Sequence, residues 1–391
     1  MTTSETHGFT APGFERVADV FAEKLALCDG LGAALAVRVG GETVVDLWGG
    51  IADERTGAAW KKDTATVVFS TTKGLTSLLA ARLAEEGRLD YDAPVAEYWP
   101  EYAQAGKAGT LVRHLLSHRA GLSALREDIS TARLIDWNTM VGVIERAEPL
   151  WEPGTGHNYH SLTFGWLVGE VLRRITGKTV GEYFRDAVTD PLGADAWIGL
   201  PADRAERVAH IRFRANPAAA AQERAGQTAD EVYWDDRSTT FGGALPLELV
   251  SASGGFNAPD VRAAEMPGAG GIATARALAA IWSSAVTTTD GLRLINDDTL
   301  ALVAGVQSQG RPVFGAPPPY GAWGMGFQLS TPPQRPYLGP RSIGHDGAGG
   351  QIGFADPDHG VGFAYISNLM REGEDDRGSA LVEAVRQALS G

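Results

Sequence analysis

Short β-like segments lie near both ends of this 391-residue chain, with mainly helical sequence between them. Residues 33–39 and 43–48 flank a Gly40-Gly41 turn and predict a hairpin. Further short apolar runs near the carboxyl end are separated by Gly, Pro and Asp; they cover residues 324–330, 341–345, 351–355 and 361–367. This order predicts an α+β (α/β) fold, an antiparallel sheet flanked by helices and built from both termini. Residues 1–75 and 310–391 would form that domain, and residues 76–309 an inserted, mainly helical domain.

Helical periodicity supports this division of the chain. Apolar spacing predicts helices over residues 14–28, 70–87, 112–117, 139–147, 162–176, 180–188, 274–286 and 379–389. Residues 2–10 are polar and are expected to be frayed. Residues 215–261 are rich in alanine, glycine, serine and proline, which favours a variable surface region or lid with no regular periodicity.

Composition excludes several classes of function. A net charge of −14 argues against nucleic acid and anionic membranes as partners. The one cysteine, Cys28, rules out an intrachain disulfide framework and is expected in the core. No stretch approaches the length of a membrane span, and the first thirty residues lack the pattern of a secretory signal. We therefore expect a cytoplasmic protein; whether it forms a homo-oligomer stays open.

The strongest chemical signal is Ser70, which lies three residues before Lys73 in a predicted helix. Positions i and i+3 share a helix face, so the lysine amine can reach the serine oxygen. A serine hydroxyl is a poor nucleophile until a base takes its proton. Only six of the 34 basic residues are lysine, and a buried amine, unlike a guanidinium, can lose its proton and act as that base.

Two other motifs accompany this pair. Tyr159-His160-Ser161 precedes an apolar helix, and a tyrosine beside a lysine ammonium can be held as phenolate because the opposite charge lowers its pKa. His345-Asp346-Gly347-Ala348-Gly349-Gly350 follows a predicted strand. Its small residues would let a substrate lie against backbone N–H groups. Structural roles remain open for each motif: a helix cap for Ser70 or Ser161, a core aromatic for Tyr159, a strand end for His345.

The order Ser-x-x-Lys, Tyr-x-Ser, His-x-Gly resembles the serine β-lactamase-like hydrolases of the class C type, and looks closest to the family VIII carboxylesterases. The segment from Leu115 to Leu122 is similar to the Leu-Leu-x-His-x-x-Gly-Leu stretch of that family, and Gly268-Ala269-Gly270-Gly271-Ile272 precedes a helix as the family pattern has it. The resemblance covers nearly the whole chain. It implies a β-lactamase/transpeptidase-like fold.

The resemblance also implies roles for individual residues. Ser70 would be the nucleophile, and Lys73 and Tyr159 would share the proton transfers; which of them is the base stays open. The backbone N–H groups of Ser70 and Ala348 would form the oxyanion hole. Ser161 stands where the family pattern carries asparagine and would orient lysine or substrate.

The third motif departs from the Lys-Thr-Gly that β-lactamases and transpeptidases of this group usually carry. His345 and Gly347 occupy that motif, and both are predicted to bind substrate. A mostly neutral imidazole is a poorer anion anchor than lysine, so we expect uncharged esters to be preferred over anionic lactams. Trp323 is predicted to line the substrate pocket, although core packing is an equally good interpretation.

These observations predict a serine carboxylesterase (EC 3.1.1.-) that hydrolyses small short-acyl-chain esters through an acyl-enzyme. The alternatives are a β-lactamase or amide hydrolase of the same fold with side esterase activity, and a non-catalytic binding protein. No cofactor is expected. The pairs His114/His118 and His157/His160 have spacings seen in zinc sites, but neither has an identifiable third ligand, so no metal is assigned.

Overall fold

The computed structural model describes residues 5–315, 318–333, 335–373 and 375–391. The strands are β1 Thr6–Thr10, β2 Ala33–Val39, β3 Glu42–Gly49, β4 Ile51–Asp53, β5 Ala58–Ala59, β6 Thr66–Val67, β7 Ala196–Ile198, β8 Arg212–Arg214, β9 Gly271–Ala273, β10 Gln328–Leu329, β11 Ile343–Gly347, β12 Gln351–Asp356, β13 Val361–Ser367 and β14 Leu369–Arg371. The helices are α1 Glu15–Ala26, α2 Thr71–Glu85, α3 Val95–Tyr98, α4 Val112–Leu116, α5 Thr131–Leu134, α6 Trp137–Arg146, α7 Thr163–Thr176, α8 Val180–Phe184, α9 Asp190–Leu192, α10 Pro217–Glu223, α11 Ala229–Thr240, α12 Pro259–Ala263, α13 Ala275–Val286, α14 Asp297–Val303 and α15 Arg377–Ser390.

Seven strands form one antiparallel sheet in the order β1-β3-β2-β13-β12-β11-β10. The two ends of the chain meet where β2 pairs with β13, with Ala33 opposite Ser367 and Val39 opposite Val361. This confirms the prediction of a single sheet built from both termini. A smaller sheet, β6-β9-β7, draws strands from both of the predicted domains, and the boundaries at residues 75 and 310 stay predictions.

Helices cover both faces of the large sheet. On one face α1 and α15 enclose a core that includes Phe21, Leu25 and Val385. On the other face α13 lies so close to β13 that a Cβ atom at Gly362 would collide with the backbone of Ala279 and Ser283. Helix α2 enters the larger core on this second face, and its residues Leu75 to Leu83 are almost all buried. The sheet therefore gives α2 a rigid support.

Two local predictions were wrong, those for residues 6–10 and 324–330. Residues 6–10 form the edge strand β1 on β3, with Thr10 opposite Val45, and their polarity suits an exposed edge. The helix predicted over 180–188 is present as α8, followed directly by a π-helical turn, Arg185–Thr189. Only Gln328–Leu329 of the run 324–330 is a strand. Within the expected lid, α11 is a regular helix whose capping box is formed by Thr228 and Glu231.

No helix in the described ranges is long and apolar enough to cross a membrane. The cellular location stays a prediction.

Replacing Gly362 with alanine is expected to lower the free energy of unfolding by about 1–3 kcal/mol, because the added methyl group must displace α13 from the sheet. The measurement is urea unfolding of wild type and variant. Gly109→Ala is the matched control: this exposed glycine has open space where a Cβ would stand, and the change should stay within about 0.5 kcal/mol. Equal effects of the two substitutions would contradict the packing described for β13 and α13.

Candidate active site

Ser70 lies at the amino end of α2, directly after a strained residue. Phe69 has a φ of +45°, a left-handed conformation that is rare for a bulky side chain and is found most often at functional sites. Two hydrogen bonds with Gly271 hold this turn. The N–H of Val68 donates to the Gly271 carbonyl at 2.8 Å, and Thr72 Oγ1 accepts from the Gly271 N–H at 2.8 Å. The strained turn is therefore held in one conformation, which fixes the position of Ser70 at the start of α2.

Lys73 Nζ lies 3.1 Å from Ser70 Oγ and donates to the Gly268 carbonyl at 2.7 Å. The lysine is fully buried, and in the described part of the chain no carboxylate pairs with it. Burial therefore lowers the pKa of Lys73 well below its ordinary value. A neutral amine keeps a lone pair, which is what a base beside a serine hydroxyl requires.

Tyr159 completes the triangle predicted from sequence. Lys73 Nζ lies 4.7 Å from the centre of its ring. The Ser70 side chain acts to lower the pKa of the Tyr159 phenol, but burial has the larger effect and raises that pKa above its ordinary value. The electrostatics thus favour a neutral phenol beside a neutral amine, not the phenolate–ammonium pair that the sequence suggested.

Three buried histidines surround this pair. His118 Nδ1 accepts the backbone N–H of His160 at 3.2 Å, His160 Nδ1 lies 2.6 Å from the Asn158 carbonyl, and His345 Nδ1 lies 2.7 Å from the Asp346 carbonyl. Burial lowers the pKa of His118 and His345 well below the usual range, and that of His160 to about 3. All three rings are therefore neutral, and none adds a second positive charge beside Lys73.

The backbone N–H groups of Ser70 and Ala348, predicted to form an oxyanion hole, have no acceptor among the residues that the structure describes. Two contacts hold β11 against the start of α2. Thr71 Oγ1 donates to the His345 carbonyl at 2.9 Å, and Gly347 packs so tightly on the Val68 carbonyl that no Cβ would fit. Gly347 thus has a steric role, and its predicted contact with substrate stays a prediction.

Trp323 stacks on Tyr159, with ring centres 5.2 Å apart and planes 22° from parallel, and packs edge-on against His118 at 4.5 Å. It remains partly exposed, which agrees with the predicted pocket lining. His345 has no exposed surface and packs against the rings of Tyr159 and Trp323. Its predicted contact with substrate stays a prediction. Ser161 is partly exposed; the residue that caps α7 is Leu162, not Ser161.

Sequence reasoning missed two contributors to the site. Gly268 supplies the carbonyl that Lys73 binds; it belongs to a glycine-rich segment that the sequence analysis noted only as a family likeness. Arg335 lies over the Trp323 ring, 5.9 Å from its centre, and binds Asp346. No periodicity or spacing marks Arg335, because it reaches the site from an irregular loop after β10.

In the described ranges no group of three or more His, Cys, Asp or Glu side chains is placed to hold a metal ion. The pair His114/His118 is separated by its hydrogen bonds: His114 Nδ1 accepts from the Leu111 N–H, while His118 faces Tyr159. Cys28 is buried, and its sulfur accepts from the Arg377 guanidinium at 3.3 Å.

An antiparallel sheet built from both termini, with a serine and a lysine on the first turn of a central helix, defines the class of serine β-lactamase-like hydrolases. The β-lactamase family model matches residues 17–387, and the chain belongs to this family. It is 37% identical over 345 residues to the esterase/beta-lactamase LipL of Mycobacterium tuberculosis (strain ATCC 25618 / H37Rv), a match that covers 87% of this chain and 77% of LipL.

Two solved structures are similar over almost their entire length. A family VIII carboxylesterase superposes with a TM-score of 0.86 at 34% identity, covering 98% of this chain and 100% of that one. A penicillin-binding protein homologue from Caulobacter crescentus superposes with a TM-score of 0.85 at 36% identity, with the same coverage. The protein is a hydrolase of the serine β-lactamase/esterase family, as the sequence motifs predicted.

The neutral histidines should make stability fall as the pH falls below about 6.5, since the unfolded chain then binds protons that the folded chain excludes. In His160→Gln the slope of unfolding free energy against pH should be smaller by up to about 1.4 kcal/mol per pH unit. Urea unfolding at several pH values measures both slopes. Exposed His7, changed to Gln, is the control and should leave the slope near that of wild type. An unchanged slope in His160→Gln would mean that this ring is already protonated in the folded protein.

Proposed function

We propose that this protein is a serine carboxylesterase that hydrolyses small esters of short acyl chains through an acyl-enzyme on Ser70. The observation that carries this proposal is the 3.1 Å contact between Ser70 Oγ and a buried lysine amine without a counter-ion. The likeness to a family VIII carboxylesterase supports an ester as the substrate.

In the first half of the reaction, Ser70 Oγ attacks the ester carbonyl carbon while its proton passes to the lone pair of Lys73. The negative charge that develops on the carbonyl oxygen is stabilised by the N–H groups of Ser70 and Ala348. Tyr159, a neutral phenol, then gives its proton to the departing alcohol oxygen as the C–O bond breaks, and the Lys73 ammonium returns a proton to the phenol.

In the second half, water attacks the acyl carbon. Its proton passes to the same base, the bond to Ser70 Oγ breaks, and the serine regains its proton as the acid leaves. The neutral amine and phenol are thus restored after each turnover. Burial favours this neutral resting state, because two charges would each lose their hydration in the site.

Hydrolysis of β-lactams is a second candidate, and two observations favour it. Arg335 brings a cation to the site, and the relative LipL carries both activities in its name. Comparing kcat/KM for a chromogenic cephalosporin and a short-chain p-nitrophenyl ester separates the candidates; faster turnover of the cephalosporin would favour this second one.

Ser70→Ala is expected to lower hydrolysis of p-nitrophenyl butyrate at least about a thousandfold, and to abolish labelling by a fluorophosphonate probe. Ser390→Ala, which changes an exposed serine at the end of α15, is the control and should keep both. An alanine variant that retains its activity would show that Ser70 is not the nucleophile. Absence of labelling in wild type would point to a binding protein instead.

For a neutral ester, kcat/KM should rise with pH through a pKa well below 10.5, because only the neutral form of Lys73 takes the serine proton. In Tyr159→Phe the rate should fall about 10²- to 10⁴-fold while the same ascending limb remains. Loss of that limb in Tyr159→Phe would identify the phenol, and not the amine, as the base. The pH–rate profiles of both enzymes provide the measurement.

A further inference from the structure

Arg335 holds a fixed guanidinium against the ring of Trp323, which stacks on Tyr159. Its Nε donates to Asp346 Oδ2 at 2.7 Å, and its side chain is only 16% exposed. The carboxylate is anchored in turn: Asp346 Oδ1 accepts from the hydroxyl of Tyr337 at 2.8 Å, and the Asp346 N–H donates to Gln328 Oε1 at 2.7 Å. Asp346 on β11 therefore holds the Nε side of the guanidinium in place.

The guanidinium has unused donors. Of its five N–H groups, the one on Nε binds Asp346, and the four on Nη1 and Nη2 have no acceptor among the residues that the structure describes. A guanidinium cannot relieve this by losing a proton. A mostly buried cation with a free pair of parallel donors matches the geometry of a carboxylate.

The position of these donors links them to the reaction. The guanidinium lies over the ring of Trp323, which in turn stacks on Tyr159. Its positive charge acts to lower the pKa of the Tyr159 phenol. Burial lowers the pKa values of Lys73, His118 and His345, which disfavours a positive charge on each of them. An anionic group on a substrate near Trp323 would therefore meet Arg335 as its cationic partner.

We propose that Arg335 binds a carboxylate of the substrate, so that the enzyme prefers esters with a carboxylate close to the scissile bond over otherwise equal neutral esters. This proposal rests on the proposed esterase function and names its substrate class. Because His345 stands where related enzymes carry a lysine, the sequence predicted uncharged substrates. The proposal reverses this expectation, because Arg335 brings a positive charge to the site from the loop after β10.

The test uses two matched pairs of esters, so that the carboxylate lies on either side of the scissile bond. One pair is p-nitrophenyl hemiglutarate and its methyl ester; the other is 3-acetoxybenzoate and its methyl ester. The ratio of kcat/KM within each pair is measured for wild type and for the variants Arg335→Gln and Arg335→Lys. This ratio does not depend on the amount of folded enzyme, and fluorophosphonate labelling of Ser70 confirms intact active sites in each preparation.

Wild type is expected to favour the carboxylate in at least one pair about tenfold or more, the usual effect of a hydrogen-bonded charge pair. In Arg335→Gln the ratio should fall to about one or below, whereas Arg335→Lys should retain part of it because the charge remains. A wild-type ratio near one in both pairs, or an unchanged ratio in Arg335→Gln, would overturn the proposal while leaving the esterase intact. If wild type cleaves none of the four esters, the esterase function itself is overturned.

Discussion

The contact between the Lys73 amine and the Ser70 hydroxyl is the interaction on which the site depends. Burial alone makes it chemically useful, because it lowers the pKa of the amine without any partner charge. A carboxylate at this position would have the opposite effect and keep the lysine protonated. The surroundings fit this requirement: a backbone carbonyl, a phenol and neutral imidazoles provide hydrogen bonds and packing but no negative charge.

The fold keeps these groups in place by close packing at glycines. Gly347 lies against the Val68 carbonyl, Gly271 against the Thr72 side chain, and Gly268 against the backbone of Gly165 on α7. Three separate parts of the chain thus converge on the first turn of α2. Since each contact involves main-chain atoms, the positions of the oxyanion donors and of the lysine acceptor follow from the fold and not from flexible side chains.

Much of this arrangement could be predicted from sequence because its signals are local. Ser70 and Lys73 are one helical turn apart, and nearly continuous apolar runs mark β2 and β13, so the pair and the sheet were both predictable. Arg335 and the Gly268 carbonyl were not, since their roles depend on loops that approach α2 from distant parts of the chain. The sequence motifs also did not predict the protonation states of Tyr159 and Lys73. They suggested a phenolate beside an ammonium, whereas burial favours a neutral phenol beside a neutral amine.

The central claim is that Lys73 is a neutral amine in the resting enzyme. With only six lysines in the chain, ¹⁵N NMR of lysine Nζ can test it, and the Lys73 signal is the one that shifts when a fluorophosphonate modifies Ser70. At about pH 9, below the ordinary lysine pKa, we expect this signal at the position of a neutral amine. An ammonium signal from Lys73 at that pH would contradict the account.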